Sequence, residues 1–261
     1  SKRGASPLIL VYPDAVIYGP VTPDRVPFIV EEHLYKGRVV ESKQISPYDL
    51  SGRVAWLSSR KGTLPAEHRI VLKNVGLIDP EKIDEYIINE GYEALGKVLR
   101  EMSPQETITT LKNSGLRGRG GAGFPTGLKW QFVAGAKGDK KYVICNADES
   151  EPGTFKDRLV LEGDPHAIIE AMMIAAYAVG ADEGYVYIRG EYGLAISRMG
   201  KAIEQAREYG LLGKNIFGTD FSFDLHIHAG AGAYICGEET ALLEAIEANR
   251  GEPPPRAAWP T

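Results

Sequence analysis

The sequence has 261 residues, 43% of them hydrophobic, and a formal net charge of −5. That is enough apolar content for a sizeable core. The acidic balance argues against a general nucleic-acid binder, and no apolar run reaches the length of about 18 residues that a membrane span needs. Two cysteines, Cys145 and Cys236, form no CxxC pair and no disulfide framework. With no secretory leader pattern at the N-terminus, the expected setting is reducing and cytoplasmic.

In chain order, "LILVY" (8–12) and "DAVIYG" predict two short strands around Pro13-Asp14, and "TPDRVPFIVEEHLYKG" a helix with Thr22 as N-cap, Pro23 at its first position and Gly37 at its end. Residues 1–42 read as the tail of a small module and 43–67 as a polar linker. "HRIVLKNVGLIDP" predicts a strand and a turn. "DPEKIDEYIINEGYEALGKVLREM" predicts a helix interrupted near Gly91, and "SPQETITTLKNSG" a helix with a Ser103–Glu106 capping box. Beyond a glycine-rich stretch come the strand "KKYVICNADE", the helix "DPHAIIEAMMIAAYAVGA", the strand "EGYVYIRG", the helix "YGLAISRMGKAIEQAREYG", the strand "FDLHIHAGAG" and the helix "GEETALLEAIEANRG". Strands alternating with helices imply an α/β fold, layered, with a mostly parallel sheet.

Three stretches carry chemistry. "GLRGRGGAGFPTGLKW" (115–130) contains G-x-G-x-x-G at Gly118–Gly123. The dinucleotide fingerprint needs a strand before it and a P-loop needs Lys followed by Ser or Thr; neither context is met. Bare backbone N–H groups with Arg117, Arg119 and Lys129 close by suit an anion, and missing side chains let a flat ring lie on the main chain. "NADESEPGTFKDR" places Asn146, Asp148, Glu149 and Glu151 at a strand end, where α/β sheets bind ligands; these groups accept hydrogen bonds from sugar or ribityl hydroxyls, with magnesium or calcium as a weaker alternative. "GAGAYICGEET" repeats the logic with Gly237, Glu238 and Glu239. His226 and His228 read as ordinary strand residues, and both cysteines as small buried ones.

Taken together and in this order, the glycine loop, "NADESEPGTFKDR" and "GAGAYICGEETALLEAIE" resemble the family of FMN-binding, NADH-oxidising flavoprotein subunits. It includes the NADH-binding subunit of respiratory complex I, the diaphorase or beta subunits of NAD-dependent and electron-bifurcating hydrogenases, and NAD-dependent formate dehydrogenases. The resemblance covers about residues 68–261. Residues 1–42, through "LVYPDAVIYGPVTPDRVPFIVEEHL", resemble the C-terminal part of a thioredoxin-like ferredoxin-type module, here without cysteines. The family implies a Rossmann-like domain (68–261) that binds FMN, with NADH stacking on its ring and electrons passing singly to iron–sulfur centres of a larger complex. Gly118, Arg119, Gly120, Lys129, Asn146, Asp148, Glu149, Tyr234, Gly237, Glu238 and Glu239 are thereby implied to bind FMN. Gly121, Phe124, Phe132, Glu151 and Glu239, with Arg256 and Trp259 of "PPPRAAWPT", are implied to bind NAD. That last stretch departs from the family's Lys-Pro-Pro-Phe-Pro.

The family also carries a four-cysteine [4Fe–4S] segment farther along. Two cysteines cannot supply four thiolates, so the chain is expected to be a truncated piece of such a protein, with no metal of its own. Its expected partners are iron–sulfur subunits, either a thioredoxin-like [2Fe–2S] subunit or a hydrogenase or formate dehydrogenase subunit, with no nucleic acid and no membrane contact. The alternative is a degenerate, non-catalytic nucleotide-binding or docking module within such a complex.

Overall fold

The structure, a computed structural model, describes residues 9–11, 16–18, 21–38, 40 and 69–253. The linker stretch 43–67, Arg256 and Trp259 lie outside the described residues. The chain divides into two units, Ser1–His68 and Arg69–Thr261.

In the first unit, β1 (Ile9–Val11) and β2 (Val16–Tyr18) pair antiparallel, with Leu10 opposite Ile17. The expected helix runs from Pro23 to Tyr35 but changes pitch twice: a 3₁₀ turn (Pro23–Arg25), α1 (Val26–Ile29) and a π-helical stretch (Val30–Tyr35). Pro27, with no N–H to donate, falls inside it. The Thr22 side chain makes no cap bond to the helix backbone, contrary to the expectation. Tyr18 is fully buried with Val21, Ile29 and Val40. Its hydroxyl pairs with His33 Nδ1 at 2.7 Å and accepts from Val40 N at 3.0 Å.

The second unit opens with turns. "HRIVLKNVGL" forms no strand over its described residues, because Asn74 organises the chain instead. Its carbonyl accepts from Leu77 N and Ile78 N, its side chain donates to Asp164 Oδ2 at 2.8 Å, and Gly76 sits at φ +82°. The interrupted helix is α2 (Ile83–Ile88) and α3 (Glu93–Glu101). The break falls where Glu90 and Tyr92 take φ +67° and +63°, and only glycine fits between them, since a Cβ at Gly91 would lie 2.2 Å from the Tyr86 ring. α4 (Pro104–Asn113) begins with the expected capping box, Ser103 N donating to Glu106 Oε2 at 2.8 Å and Glu106 N to Ser103 Oγ at 3.3 Å.

A helix not anticipated from the sequence follows the glycine stretch, α5 (Thr126–Gly135). Gly127 lets it meet α4, since a Cβ there would come within 2.6 Å of Lys112 N. β3 (Tyr142–Ala147), β4 (Glu183–Arg189) and β5 (Asp224–Gly230) make a parallel sheet in sequence order, with Ile144 opposite Tyr185 and Tyr185 opposite His226. The crossovers carry a second unanticipated helix, α6 (Lys156–Gly163), then α7 (Pro165–Val179) and α8 (Gly193–Glu208). α9 (Glu239–Ile246) closes the described chain.

Period-two alternation divides the strand residues between two faces. Val186, Ile188 and Leu225 join the large core with Ile169, Met173, Ala176, Met199, Ala202 and Ala206 from α7 and α8. Short alanines on those helices permit close helix–sheet contact. On the opposite face Tyr187 packs with Cys236 and Leu242, with Ile144 and Ala245 beside them. Glu170 on α7 is buried and ties α2 and α3 down: it accepts from Tyr86 Oη (2.6 Å), Tyr92 N (3.0 Å) and Leu95 N (3.0 Å). Three donors hold a carboxylate that burial alone would expel.

Candidate functional site

The three parallel strands deliver their C-terminal ends, Ala147, Arg189 and Gly230, to one edge of the sheet. The two acidic turns leave from the outer two of these ends, and the glycine loop meets them there.

That loop is a closed hairpin. Arg117 and Pro125 form an antiparallel bridge, Gly118 N donates to the Phe124 carbonyl (2.9 Å) and Thr126 N to that of Leu116 (2.9 Å). Arg117 Nη1 reaches across to the Gly123 carbonyl at 3.0 Å. At the tip Gly121 and Gly123 take φ +125° and +62°, backbone that L side chains rarely adopt. None of the N–H groups of 119–123 donates to another described residue. The tip thus offers free donors with an arginine on either side of Gly118.

The hairpin tip and both acidic turns line a cleft of about 740 Å³, the size of a cofactor pocket. Of the residues expected to bind ligand, Arg119, Gly120, Gly121, Asn146, Asp148, Glu149, Glu151, Tyr234, Gly237 and Glu238 line it. Gly118 sits at the hairpin base. Lys129, on the first turns of α5, forms an exposed 3.4 Å ion pair with Glu239, linking the hairpin's helix to the second turn. Phe124 and Phe132 are both exposed, their ring centroids 6.5 Å apart.

The two turns are tied together: Asn146 Nδ2 donates to the Gly237 carbonyl at 3.0 Å, and Tyr234 Oη to Glu151 Oε2 at 2.6 Å. That carboxylate raises the Tyr234 phenol above its ordinary range.

Asp148 is buried at the cleft wall. Its Oδ2 accepts from Ser150 Oγ at 3.0 Å, while Oδ1 is buried with no protein partner. Burial raises its pKa, and the Ser150 hydroxyl and Arg189 partly offset this. A buried carboxylate oxygen without a donor points to a ligand that brings one, as a ribityl hydroxyl would.

Two other acids already have protein donors. Glu149 caps α6 from eight residues upstream, accepting from Asp157 N (3.0 Å) and Arg158 N (3.1 Å). Glu238 is the N-cap of α9, accepting from Thr240 N (2.9 Å), Ala241 N (3.0 Å) and the Thr240 hydroxyl, which holds it below its usual range.

Ser150, Thr154, Lys156, Asp157 and Ile235 also line the cleft and were not singled out from the sequence. They lie within the quoted acidic motifs, between and beside the acids, which was the available signal. His226 and His228 lie against Tyr185 and Tyr187 at 5.4 and 5.1 Å, and no group of potential metal ligands occurs among the described residues. Cys236 is buried as expected, whereas Cys145 is only half-buried; burial of its thiol still pushes Cys145 up to about 12, which suits a structural residue and not a nucleophile. No helix among the described residues is long and apolar enough to cross a membrane.

Residues 111–260, more than half the chain, match the Nuo51 FMN-binding domain family. The chain belongs to this family. The matched span takes in the hairpin, both acidic turns and all three parallel strands. The resemblance read from the three motifs is therefore shown.

Among curated proteins, the chain is similar to the NADP-reducing hydrogenase subunit HndC of Solidesulfovibrio fructosivorans, 59% identical over 74% of this chain and 39% of that protein. It is similar to an NADH-quinone oxidoreductase subunit of Aquifex aeolicus, 55% identical over 68% of this chain and 41% of that protein. Among solved structures, the NAD⁺-reducing [NiFe]-hydrogenase in its air-oxidised state aligns with a TM-score of 0.58 at 30% identity, over 94% of this chain and 37% of that one. The chain spans about two fifths of the length of these relatives.

Proposed function

We propose that this chain is the FMN- and NADH-binding part of an NADH-oxidising flavoprotein subunit in a larger redox complex. The observation that carries the reading is the convergence on one cleft of the glycine hairpin, two acidic strand-end turns and the unpartnered Asp148 Oδ1. FMN, when bound, exchanges a hydride with the nicotinamide and relays electrons one at a time.

The chain's own residues supply binding, orientation and electrostatics. Free N–H groups at the hairpin tip, with Arg119 and Lys129, hold the phosphorylated end of the flavin. Asp148 and Asn146 accept from and donate to its hydroxylated arm. Phe124 and Phe132 offer stacking faces to the dinucleotide, and Glu151 and Glu239 accept from its hydroxyls. The sequence shows no basic cluster for a 2′-phosphate, which favours NAD as the dinucleotide over NADP. No side chain is assigned as acid or base. Electrons leave to iron–sulfur centres held outside these 261 residues, since two cysteines cannot ligate a four-thiolate cluster. We assign residues 1–42 to the tail of a thioredoxin-like module and Arg256 and Trp259 to the dinucleotide's adenine end.

The test is anaerobic addition of NADH to flavin-loaded protein. Bleaching of the flavin absorbance, faster with NADH than with NADPH, supports the reading; a flavin that stays oxidised under both overturns it in favour of a non-catalytic module.

A further inference from the structure

The central strand ends in "RGEY" (189–192), and this turn touches both ligand-bearing loops without lining the cleft. Arg189 Nη1 donates to the Glu149 carbonyl at 2.8 Å, while Nε and Nη2 form a fork on Glu191 at 3.0 and 2.8 Å. Tyr192 Oη donates to Glu149 Oε2 at 3.2 Å. The guanidinium groups of Arg158 and Arg189 lie over the Tyr192 ring, 5.4 and 5.5 Å from its centroid. On the other side, Gly190 presses against the base of the second turn, where a Cβ would come 2.4 Å from the Gly230 carbonyl oxygen. Glu191 Oε1 stands 3.4 Å from where a Cβ of Gly232 would be.

We propose that Arg189 and Tyr192 are positioning residues that act through Glu149 and set the spacing of the two cofactor-binding turns. Glu149 is the element they fix. Its carboxylate is clamped between the first amides of α6 and the Tyr192 hydroxyl, and its carbonyl is clamped by Arg189. Asp148, one residue earlier, lines the cleft and carries the buried oxygen that has no protein donor. A small displacement of Glu149 therefore moves Asp148 in the cleft. Arg189 suits the task because its rigid planar fork grips the Glu191 carboxylate bidentately while a third N–H reaches the Glu149 carbonyl, a fixed geometry that lysine's rotatable point charge does not impose. The ion pair persists across the working range, since Arg189 stays protonated and its hydrogen bonds hold Glu191 down at about 2.

The inference rests on the FMN reading and is tested by FMN titration of the purified protein, followed by fluorescence quenching, together with KM and kcat for NADH. Arg189→Lys is expected to weaken FMN about tenfold and Tyr192→Phe about threefold, the scale of one lost charge-assisted and one partly transmitted hydrogen bond. NADH KM rises in both, with kcat on flavin-saturated protein changing less. In a Glu149→Gln background Tyr192→Phe adds little further loss, because both act on one hydrogen bond. Tyr192→Phe removes a single hydroxyl, so it carries the test if Arg189→Lys fails to fold. FMN affinity and KM unchanged in the folded variants, or fully additive losses with Glu149→Gln, overturn this inference alone. No FMN binding by the unaltered protein overturns the functional reading and the inference with it.

Discussion

Replacing Asp148 by asparagine should weaken cofactor binding while making the cofactor-free protein more stable. The side chain is buried, Oδ2 has the Ser150 hydroxyl, and Oδ1 has no protein donor. Burial raises its pKa, so the ionised form is disfavoured in the folded chain. The sign follows from linkage. A carboxyl whose folded pKa lies above its unfolded value costs stability as pH rises through that interval, and the full cost is present at neutral pH. Asparagine removes the charge, and relief of a poorly satisfied buried group is worth about 1 kcal/mol. For a chain of this size that is a rise in Tm of about 2–4 °C. A hydrogen bond from a ligand hydroxyl to a charged acceptor is worth about 1.5–3 kcal/mol, so FMN affinity should fall about 10- to 150-fold. Thermal melts without flavin and flavin titrations on the same preparations give both numbers. Unchanged affinity would refute the placement of Asp148 against the cofactor. A drop in both affinity and Tm would show that Asp148 supports the fold instead.

Lys129→Ala removes a cation beside the hairpin but no buried contact, since its Glu239 partner is exposed. It should cost FMN more affinity than riboflavin, narrowing the preference for the phosphorylated flavin, with Tm within about 1–2 °C of the parent. Gly127→Ala puts a Cβ 2.6 Å from Lys112 N, so α4 and α5 must separate; the loss should be about 1–3 kcal/mol in a denaturant titration. His166 is buried against Tyr92 and Gln205, and burial brings its pKa down to about 4. Below about pH 6.5 the unfolded chain takes up a proton that the folded chain refuses. Stability should therefore fall between about pH 6.5 and 4, with a His166 contribution on the order of 3 kcal/mol, opposed by Asp164 and Asp148, whose pKa values burial raises. His166→Gln should flatten that slope in denaturant titrations at stepped pH.

What could be read from the sequence was local. "YVIC", "GYVYIR" and "FDLHIHAG" announced their strands through β-branched and aromatic content, and the Ser103–Glu106 box was recognisable because its partners are three residues apart. What could not be read was set at a distance. "TGLKWQFVAG" has no clear apolar periodicity and becomes helical where Gly127 lets it press on Lys112. α6 has its cap in Glu149, eight residues upstream and across a turn, beyond any local capping rule. "HRIVLKNVGL" looked like a strand, but Asn74 bonds to Asp164, ninety residues away, and holds it in turns. At the site, the motif glycines and carboxylates were visible as ligand-type residues. That Glu149 and Glu238 also cap helices, and that Arg189 and Tyr192 brace one of them, needed the fold.

The central claim is that the glycine hairpin and the two acidic turns form one seat for a phosphorylated flavin. Titrating the purified protein with FMN and, in parallel, with riboflavin tests it most directly. One FMN per chain, bound at least tenfold more tightly than riboflavin through a charge-assisted phosphate contact, is the expected result. Equal affinity for the two would contradict the assignment of the hairpin to the phosphate, and no saturable binding of either would contradict the seat itself.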